Sequence, residues 1–214
     1  MTPPSSDYRT KRPDKYDLCP LCNSAKDRRS TLCIACTRTK PVIQQPNDPT
    51  IRRIPLTRGY FAVVSAVRFE RCMAYNWHAH VLLRDDGSVK RIYAVRAFNE
   101  GAKKCTQSLH RFILDVTDPA IQVDHRDHDG LNCTNDNLRI ATKCQNQWNQ
   151  RLNRLNTSGY KGVSWNKKHW IATITINSKA TYLGGFASKE AAARAYDAAA
   201  REYFGEFACL NFAS

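Results

Sequence analysis

From Ile54 onward, short apolar runs alternate with turn-forming residues, and the pattern predicts strands. YFAVVSAVRF (60–69), WHAHVLLRDDGSVKRIYAVRAF (77–98) and SLHRFIL (108–114) are rich in branched and aromatic residues. Asp85 to Ser88, the DDGS turn, predicts a hairpin joining two of these runs. Trp77, His78 and His80 read as ordinary strand packing. Farther along, Val123 to Asp127 predicts a short strand end, the next residues are turn formers, and NLRIA (137–141) predicts a second strand. Thr142 heads a Thr-x-x-Gln capping box that should start a helix at Lys143. The expected unit is strand, loop, strand, helix.

After the polar joint LNTSGYKG (155–162), three more strands are predicted in YKGVSWN, HWIATITI and KATYLGGF. A helix follows, with Ser188 as N-cap, Glu190 in the first turn and Gly205 as the stop. Ala192, Ala195, Tyr196, Ala199 and Tyr203 form its predicted inner stripe, small enough for close approach to a sheet. On the second strand, Trp170, Ala172, Ile174 and Ile176 should face that stripe, with Thr173 and Thr175 outward. Trp165 and Trp170 read as packing rather than base contacts.

Composition adds a partner. The 214 residues suffice for one sizeable domain or a few small ones, and 33 Lys and Arg against 19 Asp and Glu give a formal charge of +14. That is the footprint of a protein lying on polyphosphate, and nucleic acid is preferred over an acidic membrane surface. No apolar run approaches bilayer length and the first residues do not resemble a signal peptide, so a cytoplasmic, non-secreted protein without a membrane partner is expected. The nine cysteines are expected to be reduced, without disulfides. Cys19, Cys22, Cys33 and Cys36 form two Cys-x-x-Cys pairs. Four thiolates suit tetrahedral Zn2+, which would supply the folding energy of so small a segment. A thioredoxin-like redox motif is the rival, but it would use one pair beside a longer α/β unit.

Against this basic background, VDHRDHDG (123–130) gathers Asp124, Asp127 and Asp129 around His125 and His128. A helix start facing the first strand end would bring Asn146 beside Asp124, giving a carboxylate and an amide oxygen suited to Mg2+ or Mn2+. His125, adjacent but on the other side of the strand, could take a proton, its ordinary pKa being about 6.5. Metal-assisted phosphodiester hydrolysis is the chemistry such a set performs. Asp127, His128 and Asp129 read as a solvated turn.

Asp124-His125, Asn137 in NDNLR and Asn146 in CQNQWN resemble the HNH nuclease motif in its His-Asn-Asn form, as in homing endonucleases common in phages. The preceding LHRFIL, with His110 and Arg111, resembles the segment that often leads into it. The resemblance covers residues about 55 to 155 and implies a ββα-metal fold. In it His125 is the general base, Asp124 and Asn146 hold one divalent ion, and Asn137 holds loop and strand in place. The implied products carry 5′ phosphate and 3′ hydroxyl ends, with nicking and double-strand cleavage both left open. His110 stands open between packing and a phosphate contact.

YKGV, WIATI, YLGGF, KEAAARAYDAAA and LNF, in that order, are similar to the AP2/ERF DNA-binding domain, a three-stranded antiparallel sheet on one helix. The resemblance implies a sheet that meets double-stranded DNA through Lys161, Ser164, Asn166, Lys167, Lys168, Thr173, Thr175, Lys179 and Tyr182. Its lysines would mainly grip phosphates, because the arginines that read guanine bidentately are scarce there. The expected organisation is therefore modular α+β. It comprises a mobile arm (1–17), a four-cysteine zinc knuckle (18–40), a linker (41–54), an HNH nuclease domain with its preceding β-rich segment (55–155) and an AP2-like domain (156–214). The favoured reading is a monomeric DNA endonuclease, acting in a bacterial host's cytoplasm if phage-encoded. The alternatives are a noncatalytic DNA-binding regulator, or an adaptor in which the knuckle contacts protein.

Overall fold

The computed structural model describes residues 16–18, 25–27, 40 and 42–212, and the fold is α+β with several small sheets and few helices. Strands β1 (Tyr16–Leu18) and β2 (Ala25–Asp27) pair antiparallel. Cys19, Cys22, Cys33 and Cys36, and with them the zinc-knuckle expectation, lie outside the described residues. By compactness the chain divides into Met1–Ile113 with Gly130–Thr134, and Leu114–Asp129 with Asn135–Ser214.

In the first unit, β3 (Ile51–Pro55) pairs antiparallel with β4 (Phe61–Ser65). Helix α1 (Ala66–Met73) follows, so the apolar run starting at Tyr60 does not stay extended as expected. So short a run does not separate strand from helix, and here one side of the helix buries Cys72 while Val67 faces out. Strands β5 (His78–Leu83), β6 (Val89–Glu100) and β7 (Lys103–Ser108) form an antiparallel meander. The expected DDGS hairpin is present, with Gly87 at φ +77° and the Ser88 N–H donating to Asp86 Oδ1 at 2.9 Å.

The expected strand at SLHRFIL is instead helix α2 (Leu109–Ile113). Its buried residues, Leu109, Phe112 and Ile113, stand at the i, i+3, i+4 spacing of a helix face rather than at strand alternation. Trp77 is fully buried as expected, its indole N–H donating to Cys72 O at 2.7 Å.

In the second unit, β8 (Gln122–His125) pairs antiparallel with β10 (Leu138–Ala141). The short β9 (Asn132–Cys133), between them in sequence, belongs to the first unit, where it pairs parallel with β4. Helix α3 (Lys143–Trp148) begins at the expected capping box. Thr142 Oγ1 accepts from the Gln145 N–H at 3.2 Å, and Gln145 Oε1 accepts from the Thr142 N–H at 2.8 Å.

The C-terminal sheet, in the order β11 (Val163–Asn166), β12 (His169–Ile176) and β13 (Lys179–Phe186), is antiparallel throughout. It packs on α4 (Lys189–Phe204), whose N-cap Ser188 accepts from the Ala191 N–H. A bulge leaves Leu183 without a cross-strand partner and turns it into the core, where it packs with both apolar clusters under the sheet.

The buried face of α4 runs through Ala192, Ala193, Tyr196, Ala199, Ala200 and Phe204. It is rotated from the expected stripe: Tyr203 is exposed, because Phe204 takes the place against Trp148, with ring centroids 4.6 Å apart and planes nearly parallel. Gly162, at φ +75°, lies so close to Tyr196 that a Cβ there would stand 2.0 Å from the ring.

Among the described residues of α4, Asp197 is the buried charged group, and it ties down the closing segment. Its carboxylate accepts the N–H groups of Asn211 and Phe212 at 2.8 and 2.9 Å, and the Asn211 side-chain amide at 3.0 Å. Asn211 in turn accepts the Lys161 N–H at 2.6 Å and donates to Lys161 O at 3.1 Å. LNF is thereby bound to YKGV across the helix. Replacing Asp197 with Ala strands these half-buried donors and should lower stability by about 3 kcal/mol, measured by urea unfolding followed through tryptophan fluorescence. A loss under about 1 kcal/mol would show that the closing segment is held by its apolar contacts instead.

Candidate functional site

The hairpin register sets the site. Asp124 stands directly opposite Arg139, and His125 opposite Leu138. Opposed residues of an antiparallel pair share a face, so the Asp124 and Arg139 side chains meet. Both Nε and Nη2 of Arg139 reach the same carboxylate oxygen, Oδ2, at 2.8 and 2.7 Å. The pair is buried, with side chains only 6% and 7% exposed. Asn149, the C-cap of α3, donates its amide to Oδ1 and Oδ2 at 3.0 Å and to His125 O at 3.0 Å. His125 itself is buried.

The structure therefore brings Asn149 and Arg139 onto Asp124, whereas Asn146, expected there, donates its amide to Gln122 Oε1 at 2.7 Å. That contact uses the nitrogen of the Asn146 amide, and the coordinating atom of the group is its oxygen. Among the described residues, no group of three or more His, Cys, Asp and Glu side chains is arranged to hold a metal ion.

Asn137 clasps the loop. Its Oδ1 accepts the Asp127 N–H at 3.0 Å, and its Nδ2 donates to Asp127 Oδ1 at 2.9 Å. The Arg126 N–H donates to Asn137 O at 3.0 Å, so the strand pairing is extended by one side chain acting as backbone. Asp127 also accepts the Asp129 N–H at 2.8 Å, and the His128 ring contacts Asn149 O. Asp127 and Asp129 are exposed and His128 is half-buried, so the turn faces solvent as expected while its hydrogen bonds tie it to Asn137 and Asn149.

Arg139 has a second set of partners that sequence reasoning missed. Its Nη1 donates to Glu206 O and lies 3.6 Å from Glu206 Oε2, while its Cζ stands 3.8 Å over the centroid of the Phe207 ring. Arg126 pairs with the same Glu206 carboxylate at 2.7 Å. The hydrogen bond from Arg126, reinforced by the charges of Arg126 and Arg139, holds the Glu206 carboxyl below the usual carboxylate range. One signal could have found Arg139: pairing the two short strands so that Asn137 meets the end of the first places Arg139 opposite Asp124. No local pattern points to Glu206 or Phe207.

On the C-terminal sheet, Ser164, Asn166, Thr173, Thr175 and Tyr182 share the face turned away from α4, since Val163 and Ala172, on the other face, are buried against Ala192 and Ala193. Lys167 and Lys168 are exposed in the turn between β11 and β12, and Lys179 opens β13. Lys161 is placed differently. Its ammonium donates to Trp148 O at 2.6 Å and Gln150 O at 2.8 Å, at the end of α3, and burial lowers its pKa. Trp165 packs against Trp170, with centroids 5.1 Å apart, while remaining 54% exposed. In the first unit, His110 Nε2 lies 3.0 Å from Ser108 Oγ and its ring packs edge-on to Tyr93; Arg111 is half-buried on the same helix. No helix among the described residues is long and apolar enough to cross a membrane.

No protein-family profile matches the chain, and no solved structure matches it. An uncharacterized HNH endonuclease of Acanthamoeba polyphaga mimivirus is 32% identical over 155 residues, covering 72% of this chain and 76% of that protein. Protein 3.8 of Escherichia phage T7 is 44% identical over 59 residues, which are 27% of this chain and 49% of the phage protein. An AP2-like ethylene-responsive transcription factor of Arabidopsis thaliana is 45% identical over 56 residues, 26% of this chain and 18% of the plant protein. The mimivirus relation spans most of both chains, and on it, with the Asp124-His125, Asn137 and Asn146 pattern, this chain belongs to the HNH endonuclease family.

Proposed function

We propose that the chain is a metal-dependent DNA endonuclease with a ββα-metal site on β8, β10 and α3, brought to duplex DNA by its AP2-like fold. The observation that carries the reading is the capped helix following a hairpin that holds Asp124 and His125 side by side, with Asn137 clasping the loop. Asp124 and Asn146 each carry an oxygen donor of the kind a hard divalent cation such as Mg2+ or Mn2+ takes, and to share one ion Asn146 would have to turn its oxygen toward Asp124 from its present contact with Gln122. Arg139 loads only Oδ2 of Asp124, so Oδ1 keeps acceptor capacity beyond its contact with Asn149. When bound, the ion would polarise the scissile phosphate and stabilise the leaving oxygen.

The chain's own residues do the rest. His125 takes the proton of the attacking water, Asn137 fixes the loop that carries it, and Asn149 fixes the strand end by its backbone carbonyl. The domain organisation belongs to the same proposal, including a four-cysteine zinc knuckle at 18–40 and a cytoplasmic site of action. Ser164, Asn166, Lys167, Lys168, Thr173, Thr175, Lys179 and Tyr182 form the DNA-facing set on the sheet. His110 and Arg111 are further phosphate contacts. Lys161 supports the set from inside, because its ammonium is committed to α3.

A noncatalytic DNA-binding regulator is the second reading. The observation favouring it is that the Asp124 charge is already matched by Arg139. The two readings part in one experiment. Supercoiled plasmid should be nicked or cut in Mg2+ and left intact in EDTA, and His125→Ala should slow cleavage about 100-fold or more while gel-shift affinity stays within about twofold. Equal loss of both activities would assign His125 a structural role, and no cleavage by the unaltered protein would favour the regulator.

The sheet has its own test. Because Phe204 packs against α3, and Glu206 and Phe207 against Arg139 of the hairpin, point substitutions are preferable to removing the module. Replacing Lys167 and Lys168 together with Ala should flatten the slope of log affinity against log salt by about 1 to 2, since each phosphate contact contributes about 0.9. An unchanged slope would move the DNA grip to another surface.

A further inference from the structure

We propose that Arg139 is the positioning residue for Asp124, and that it takes its own position from the turn Gly205–Phe207. The AP2-like fold would then set the geometry of a metal-ligand carboxylate. The inference rests on the divalent-ion reading of Asp124 given above. It does not need Arg139 to touch substrate or metal.

Three features carry it. First, the cross-strand register fixes which carboxylate Arg139 can reach, and the contact is one-sided: Nε and Nη2 converge on Oδ2 at 2.8 and 2.7 Å. A guanidinium that only neutralised the carboxylate would be expected to cover both oxygens in parallel. Here Oδ1 meets the Asn149 amide, at 3.0 Å, and retains a lone-pair direction for a cation.

Second, the guanidinium is held independently on another edge by Glu206 O, to which Nη1 donates, and on its face by the Phe207 ring 3.8 Å from Cζ. The planar group therefore has a fixed orientation before any ion arrives. Third, the pair is buried, so Asp124 has no solvent-exposed alternative that satisfies its charge. A ligand carboxylate oriented through a hydrogen-bonded neighbour is a general way in which proteins tune metal affinity.

The charge argument and the positioning argument predict opposite signs. If Arg139 merely competes with the ion for the Asp124 charge, removing it should tighten metal binding. If it aims the carboxylate, removing it should weaken binding even though the site becomes more negative. Phe207 separates the effects further, because changing it leaves the Arg139 charge in place.

The test titrates full-length protein with Mn2+, following free Mn2+ by electron paramagnetic resonance, with Asp124→Asn as the reference for loss of the site. Arg139→Gln should raise the Mn2+ concentration for half-saturation about tenfold, Arg139→Lys less, and Phe207→Leu about threefold. Circular dichroism and gel shifts in EDTA should stay those of the unaltered protein. Cleavage by Arg139→Lys and Phe207→Leu should approach the unaltered rate as Mn2+ is raised. Half-saturation unchanged or lowered in a folded Arg139→Gln protein overturns the inference and leaves the metal reading standing. If Arg139→Gln does not fold, an unchanged half-saturation in Phe207→Leu overturns it instead. An unaltered protein that binds Mn2+ no better than Asp124→Asn would sink the metal reading itself, and this inference with it.

Discussion

The buried pair of Asp124 and Arg139 is the constraint on which the hairpin depends. Two short strands and a six-residue helix make a small element, and α3 has no fully buried residue among its own. Apolar burial on the hairpin is limited to side chains such as Leu138 and Ala141. Its shape is therefore set by polar contacts that are costly to break. Leaving either charge of a buried pair alone costs about 3–5 kcal/mol, a large share of what holds so small an element in shape. Both charges have further partners: the Asn149 amide donates to Oδ1 and Oδ2, and Glu206 O takes the outer guanidinium N–H.

Arg139 of that pair is also one of several links that join the hairpin and the C-terminal fold in one compact unit. Phe204 stacks on Trp148 at the end of α3, Lys161 donates to the last carbonyls of that helix, and Phe207 supports Arg139. Each contact comes from a segment whose place is fixed by the core of the C-terminal fold. Asp197 and Asn211 lock YKGV to LNF, which in turn fixes Lys161, and the end of α4 carries Phe204 and the following turn. The C-terminal fold is thus a scaffold as well as a surface.

What could be read from the chain beforehand follows from the range of the interactions. The Thr142 capping box, the DDGS turn, the three C-terminal strands and the Ser188 cap are local, and each was legible from residues within one turn or one strand pair. The segments at Ala66 and Leu109 were harder, because an apolar run of a few residues satisfies strand and helix alike until its burial is known; the i, i+3, i+4 spacing of Leu109, Phe112 and Ile113 was the usable clue. On α4, alanines all round left the inner face ambiguous, and the choice between Tyr203 and Phe204 was made by Trp148, a residue far away in sequence. At the candidate site, the polar cluster on β8 was visible, as was Asn137. The partner of Asp124 was not, since Asn146 and Asn149 lie on the same short helix and its cap, and only the packing decides which amide meets the carboxylate.

Scaffold and surface use different residues, and this has a consequence for how the chain could work. The contacts that fix the hairpin come from Lys161, the end of α4 and the turn after it, whereas Ser164, Thr173, Thr175 and Tyr182 lie on the face of the sheet turned away from that helix. Alanines at the helix–sheet contact keep the two layers close, so the sheet is rigidly referenced to the helix. A ligand on the outer face would be linked to Asp124 and His125 through β12, α4 and Arg139. On the proposed reading, changes on the outer face would alter what is gripped without disturbing the hairpin, while changes at Arg139 or Phe207 would reach the site without altering the grip.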